Sequence, residues 1–210
     1  MDLLIATRSA GKTREIGALF AGSPFTPVFP DALGLERRPE ERDLETGATY
    51  AAHAIAKARY FARRSDLPAA ADDSGIEVDA LGGAPGVLSA RWAGAGGKGK
   101  GEGDVEAANN ARLLERLRGV SPERRTVRYR CVLAFVATPD ADPLVVEGMC
   151  EGWVLDVARG TGGFGYDPLF WSLDLGMTFG EAPAEAKQGV SHRGRAFRAL
   201  IEVLRRMQER

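Results

Sequence analysis

The chain has 210 residues, 44% hydrophobic and 27% charged, which gives room for one sizeable core or two small lobes. Its formal net charge of -1 supplies no global field for DNA or RNA, so a nucleic-acid partner is not expected. The apolar run at its start is too short for a signal peptide or a membrane span, and a cytoplasmic protein with no membrane partner is expected.

"LLIA" at residues 3–6 reads as a buried parallel strand. The turn "TRSAGK" follows, and then a helix with Ile16, Leu19 and Phe20 on one side. A strand, a polar loop and a helix in that order are how an α/β sheet sets a ligand loop at a strand's carboxyl end. Residues 22–44 are irregular, with prolines at 24, 27, 30 and 39 and a short strand at Val28 and Phe29. "ETGATYAAHAIAKARYFARR" is the clearest helix, with Thr49 as its N-cap. "LPAAADD" reads as a buried strand that ends in acids.

"GAPGVLSARWAG" reads as turn and short extended segments. "AGAGGKGKGEGD" at 93–104 reads as a flexible loop, because glycine loses much entropy on ordering and offers nothing to pack. A helix resumes at "VEAANNARLLERLRG" and stops at Gly119. "TVRYRCVLAFVA" and "PLVVEGMCEGWVLD" pair as a hairpin. "GTGGFGYDPLFW" is a glycine-rich aromatic loop. The last helix runs from about Arg193 to Met207, with Phe197, Leu200, Val203, Leu204 and Met207 as its apolar stripe. Cys131 and Cys150 form no metal motif and read as free buried thiols; a disulfide would need an oxidising compartment.

Four groups carry candidate chemistry. Thr7, Ser9 and Lys12 put hydroxyls, backbone N–H groups and an ammonium at a helix start, which suits an anion and equally describes a plain capped helix. Lys57, Lys187 and Arg193, each unremarkable alone, would together with Lys12 match a triphosphate. Glu45, Asp72 and Asp73 offer the hard oxygens that Mg2+ prefers; the local alternative is a turn with solvated acids. Adjacent strand residues point to opposite faces, so one carboxylate binds metal while the other orients a water or a backbone group. In "GGFGYDP", Phe164 or Tyr166 covers a flat base while the backbone reads its edge, or the aromatics simply pack a tight turn.

With these residues in view, the chain resembles the Ham1/RdgB family of inosine- and xanthosine-triphosphate pyrophosphatases. The blocks that carry the resemblance are "ATRSAGKTREI", "ETGATY...KA", "ADDSGIEVDALGGAPGVLSARWAG", "NNARLLERL", "GTGGFGYDPLF" and "KQGVSHRGRA". They span nearly the whole chain outside 93–104. The resemblance implies a single inosine triphosphatase-like domain over 1–210. Its implied fold is a two-lobed α/β structure, with a long twisted mixed sheet, flanking helices and a substrate cleft between the lobes. It also implies a Mg2+-dependent homodimer that cleaves non-standard purine nucleoside triphosphates (ITP, dITP, XTP) to the monophosphate and pyrophosphate.

Carried over by position, Thr7, Ser9 and Lys12 match the first phosphate-contacting loop, and Lys57 matches a phosphate-contacting lysine. Glu45 matches a metal carboxylate. Asp73 matches the general base, also at the metal, with Asp72 as its acidic partner and Ser74 as a substrate contact. Phe164, Gly165, Tyr166 and Asp167 match the base pocket. Lys187, His192 and Arg193 match residues that close around base and phosphates. Two departures stand out. Ser9 replaces an asparagine, and Ala52 and His53 replace a glutamate and an asparagine, so the site has one fewer carboxylate.

The expected mechanism is in-line attack of water on the α phosphorus, with Asp73 positioning the water or taking its proton and the lysines offsetting phosphate charge. A donor such as Arg193 or His192 would favour a 6-carbonyl over adenine's amine. The alternatives are a Maf-like nucleotide pyrophosphatase and a nucleotide-binding protein weakened in catalysis, the latter resting on Ser9, Ala52 and His53.

Overall fold

The computed structural model describes residues 1–94 and 102–209. Most of the segment read as a flexible loop, residues 95–101, lies outside the described residues, and Glu102 to Asp104 already belong to a helix. In chain order the elements are β1 (Asp2–Ile5), α1 (Ala10–Leu19), β2 (Thr26–Val28), α2 (Tyr50–Ser65), β3 (Ala69–Val78), α3 (Glu102–Arg116), β4 (Thr126–Val136), β5 (Leu144–Val154), β6 (Phe170–Ser172), β7 (Met177–Thr178), α4 (Ala184–Val190) and α5 (His192–Gln208). Short 3-10 helices cover Pro39–Glu45 and Gly86–Arg91. No helix among the described residues is long and apolar enough to cross a membrane.

The strands form one seven-stranded sheet in the order β2-β1-β3-β4-β5-β6-β7. β1 runs parallel to β2 and β3, whereas β6 runs antiparallel to β5 and β7, so the sheet is mixed and the fold is α/β as expected. Ile5 pairs with Ala70, two residues before the acids. Leu3, Leu4, Ile5 and Ala69 to Ala71 are all fully buried, the signature of strands covered on both faces.

β3 corrects the reading of "LPAAADD". The strand does not end at Asp72 and Asp73 but continues through them to Val78. Each acid finds cations from other elements, so neither has to reach solvent at a strand end.

The helices follow local rules. Thr49 caps α2, its side chain accepting from the Ala52 amide at 3.1 Å. Such a cap stabilises by about 1 kcal/mol. Asp66 closes the helix in the left-handed conformation. Gly119, at φ 79°, follows α3 as expected. In α5 the buried stripe is Ala196, Phe197, Leu200, Ile201 and Leu204, while Met207 is 56% exposed. The helix outlasts the core it covers, which is why the expected stripe ran too far.

The chain divides into two compact units. The first comprises Met1–Asp73, Cys131–Gly148 and Arg193–Arg210; the second comprises Ser74–Arg130 and Met149–His192. One core of the first unit joins Ile5, Ile16, Phe20, Leu133, Phe197 and Leu200. Its other core packs α2 through Ala54, Ala58 and Phe61 against Leu4, Ala71 and Val136. The second unit is built on Ile76, Leu113, Tyr129, Leu169, Phe170 and Phe179. Burying one such aliphatic or phenyl side chain stabilises by about 1.5–3 kcal/mol. Cys131 and Cys150 are free buried thiols. Burial, together with the nearby Asp72 charge, pushes the Cys131 thiol far above its ordinary value, so it is inert.

Candidate active site

The first unit gathers most of the predicted acids and bases. α2 and the end of the Pro39–Glu45 helix bring Lys57 and Glu45 together, with Nζ 2.7 Å from Glu45 Oε1. The same ammonium lies 3.4 Å from Asp73 Oδ1. Burial would lower the Lys57 pKa. The carboxylates of Asp73, Glu45 and Asp72 outweigh it and hold the ammonium above the ordinary lysine value, so Lys57 stays charged. Asp73 also meets His53, whose Nδ1 lies 2.7 Å from Oδ2. The other ring nitrogen of His53 lies 2.7 Å from the Gly47 carbonyl oxygen.

Asp72, the preceding residue, points to the other face of β3. Lys12 Nζ is 2.8 Å from its Oδ2, and the Arg193 Nε and Nη2 atoms are 3.4 Å from the same oxygen. Arg193 Nη1 donates to Glu15 at 2.6 Å. Burial alone would raise the Asp72 pKa, but Lys12, Arg193 and Lys57 dominate and hold the carboxyl well below the usual range. The same carboxylates, Asp72 before Glu15, overcome burial and raise the Arg193 pKa.

Thr7 and Ser9 lie on the β1–α1 turn, half-buried. The Thr7 hydroxyl accepts from the Ser9 amide at 3.3 Å, and the Ser9 hydroxyl accepts from the Lys12 amide at 3.5 Å. Ser9 is therefore the N-cap of α1. Arg8, between them, binds Glu41 through Nε at 2.7 Å and Nη2 at 2.9 Å, and also pairs with Asp31. That fork ties the turn to the short helix ending in Glu45.

The second unit holds the aromatic loop. Asp167 is 2% exposed and is fully engaged. Its Oδ2 accepts from the Phe164 amide at 2.7 Å and from Lys187 Nζ at 2.5 Å, and its Oδ1 accepts from the Tyr129 hydroxyl at 3.1 Å. A buried carboxylate persists only when it is supplied in this way. The Lys187 ammonium stands 5.2 Å from the Phe164 ring centroid. His192 stacks on Tyr129 with centroids 4.4 Å apart and rings within 3° of parallel. Burial, then the Asp167 charge, keeps the Tyr129 phenol protonated. Asn110, on α3, donates to the Gly165 carbonyl at 2.9 Å.

Of the rings offered as a cover for a base, Tyr166 is in the core, its hydroxyl donating to the Ser89 carbonyl at 2.9 Å. Phe164 is half-buried and remains the candidate. Ser74 is half-buried on β3.

Sequence reading missed His53 as a partner of Asp73, Glu15 as a partner of Arg193, and Tyr129 as a partner of Asp167. Tyr129 had a signal: it is an inward position in the alternating "TVRYRC". Glu15 and His53 had none in their local pattern.

The described residues preassemble no group of three histidine, cysteine, aspartate or glutamate side chains suited to a metal. Glu45 and Asp73 nevertheless present two hard oxygens to a common cation, the Lys57 ammonium. A third of the Glu45 side chain is exposed (33%), which leaves space for the waters a divalent ion retains. The residues present fit such an ion.

The model of the Ham1 family matches residues 3–203. Over 204 residues the chain is 47% identical to a dITP/XTP pyrophosphatase of Methylococcus capsulatus, covering 97% of this chain and 96% of that protein. A dITP/XTP pyrophosphatase of Geobacter sulfurreducens is 46% identical over 203 residues, covering 96% of each. Among solved structures, a HAM1 protein from Coxiella burnetii superposes with a TM-score of 0.82 at 32% identity, covering 98% of this chain and 99% of that one. With a family match over nearly its whole length and relatives of this similarity, the chain belongs to the Ham1 family.

Proposed function

We propose that this protein hydrolyses non-standard purine nucleoside triphosphates, dITP, ITP and XTP, to the monophosphate and pyrophosphate. The similarity to dITP/XTP pyrophosphatases along 97% of the chain supports the substrate class. The observation that carries the chemistry is the meeting of Glu45 and Asp73 about the part-buried Lys57 ammonium.

Thr7, Ser9, Lys12 and Lys57 contact the phosphates. Glu45 and Asp73 would hold Mg2+. A divalent cation bound there would supply charge neutralisation and polarisation of water. Asp73 Oδ1 orients the attacking water and takes its proton. The water oxygen bonds to the α phosphorus as the bond from that phosphorus to the bridging oxygen breaks, and pyrophosphate leaves with the electron pair. Lys12 and Lys57 offset the charge that develops. Asp72 acts indirectly by holding Lys12 and Arg193. Phe164, Gly165, Tyr166 and Asp167, with Lys187 and His192, form the base-recognition group, Phe164 being the ring that contacts the base. Ser74 is a further substrate contact.

The family resemblance supports a homodimer, and the free thiols suit the reducing cytoplasm. Turnover of dITP, XTP, GTP and ATP in Mg2+, run in 18O-labelled water, tests the reading. Label in the monophosphate, with dITP and XTP preferred, is the expected result. Label in pyrophosphate, or equal rates on ATP and dITP, overturns it.

A further inference from the structure

We propose that His53 is a positioning residue for the Asp73 carboxylate, and that Gly47 and Ala52 provide the seat that lets it act. The proposal rests on the reading that Asp73 handles the attacking water.

His53 is completely buried in the first turn of α2. Its imidazole is pinned at both ends, by Asp73 Oδ2 at 2.7 Å and by the Gly47 carbonyl at 2.7 Å. The ring therefore cannot rotate without breaking a bond at one end. With Oδ2 held by His53, Oδ1 is the oxygen that faces Lys57.

The seat is specific. A Cβ added at Gly47 would stand 2.9 Å from the Ala52 Cβ and 3.4 Å from His53 Cδ2. The turn closes on the imidazole because residue 47 has no side chain and residue 52 has a single methyl. Gly47 lies two residues after Glu45, and His53 lies four residues before Lys57 on one face of α2. One imidazole thus links Asp73 directly, and the chain that carries Glu45 at one remove, to the helix that carries Lys57. Ala52 and His53, two of the three residues that depart from the family pattern, act together here: one makes room and the other supplies the imidazole.

The experiment compares His53→Leu, His53→Asn, Gly47→Ala and Asp73→Asn with the wild type. It reads kcat and KM on dITP in saturating Mg2+, and the binding of Mn2+ alone by electron paramagnetic resonance. Loss of an outer hydrogen-bond partner of a metal-site ligand costs about 10- to 100-fold. His53→Leu should lower kcat and Mn2+ affinity within that range and change KM much less. His53→Asn offers Asp73 an amide N–H in place of the imidazole and should recover part of the loss. Gly47→Ala keeps every hydrogen-bonding group, disturbs only the seat, and should lower kcat in the same direction.

An inactive Asp73→Asn beside a folded His53→Leu with wild-type kcat and Mn2+ affinity overturns the positioning role alone. If His53→Leu does not fold, a folded Gly47→Ala decides: wild-type kcat overturns the proposal and reduced kcat supports it. Full turnover by Asp73→Asn instead overturns the role of Asp73 and, with it, the proposal.

Discussion

Asp72 and Asp73 are consecutive residues of β3, yet their carboxylates contact different side chains. Asp72 Oδ2 takes Lys12 at 2.8 Å and Arg193 at 3.4 Å, whereas Asp73 takes His53 at 2.7 Å and Lys57 at 3.4 Å. The pleat explains the division, because successive side chains leave opposite faces of a strand. Asp72 is thereby surrounded by charges that it holds in place. Asp73 keeps one oxygen beside Lys57 and the half-exposed Glu45.

The paired substitutions Asp72→Asn and Asp73→Asn should therefore fail in different ways. Asp73→Asn is expected to lower kcat by about 100-fold or more, the range of a lost general base, while the fold persists. Asp72→Asn removes the buried carboxylate that Lys12 and Arg193 share and is expected to cost about 3–5 kcal/mol of stability. Urea unfolding and dITP turnover on the same preparations separate the two. Equal stability loss in both variants, with equal residual kcat, would contradict the division of labour.

The Arg8–Glu41 fork predicts an acid dependence. Burial raises the Glu41 pKa, but hydrogen bonds from Arg8 and the Arg38 amide, with the charges of Arg8 and Arg64, bring it below the ordinary glutamate value. A depressed folded-state pKa stabilises above the unfolded value of about 4.3 and is lost as pH falls through the folded one. Glu41→Gln should cost about 2 kcal/mol at pH 7, as a charged hydrogen-bonded pair is worth. The gap between variant and wild type should stay constant down to about pH 5 and shrink below about pH 4. Urea midpoints at pH 7, 5, 4 and 3 measure it. A gap that widened in acid would reverse the sign and refute the assignment.

How far the sequence foretold this molecule depends on the range of the interaction involved. α2 was legible from Thr49, the alanine run and Phe61, because caps and helical periodicity are local. β3 was misjudged at Asp72 and Asp73, because adjacent acids look like a strand end until Lys12, Lys57 and Arg193 arrive from elsewhere. α4 was not anticipated. Its seven residues, "AEAKQGV", are too few to display a helical period. Lys57 and Glu45 are twelve positions apart, and only the family resemblance connected them in advance. His53 stood out only as a departure, and the resemblance offers no role for a residue that departs from it.

Tyr129 offers a test of the second unit. Its hydroxyl donates to Asp167 Oδ1 at 3.1 Å, and its ring stacks on His192. Tyr129→Phe keeps the stack and removes one donor from a buried carboxylate. The expected cost is about 1–3 kcal/mol in stability. A rise in KM for dITP larger than any change in kcat should accompany it if Asp167 belongs to the base-recognition group as proposed. Steady-state kinetics with thermal unfolding reads both. An unchanged KM beside a lowered kcat would move Asp167 out of base recognition.

Gly163 is the sharper probe of the same loop. It adopts φ 70°, a region in which an added Cβ costs about 1–2 kcal/mol. That Cβ would also stand 2.1 Å from Asp167 Oδ2, the oxygen that accepts from the Phe164 amide and from Lys187. Neither the buried carboxylate nor the backbone has free space to yield, so Gly163→Ala must break the Asp167–Phe164 bond or shift Lys187. The expected outcome is lower thermal stability and a raised KM for dITP. Mn2+ affinity should be unchanged, since Glu45 and Asp73 are untouched. Wild-type KM and stability in Gly163→Ala would show that Asp167 does not hold the loop in the conformation described.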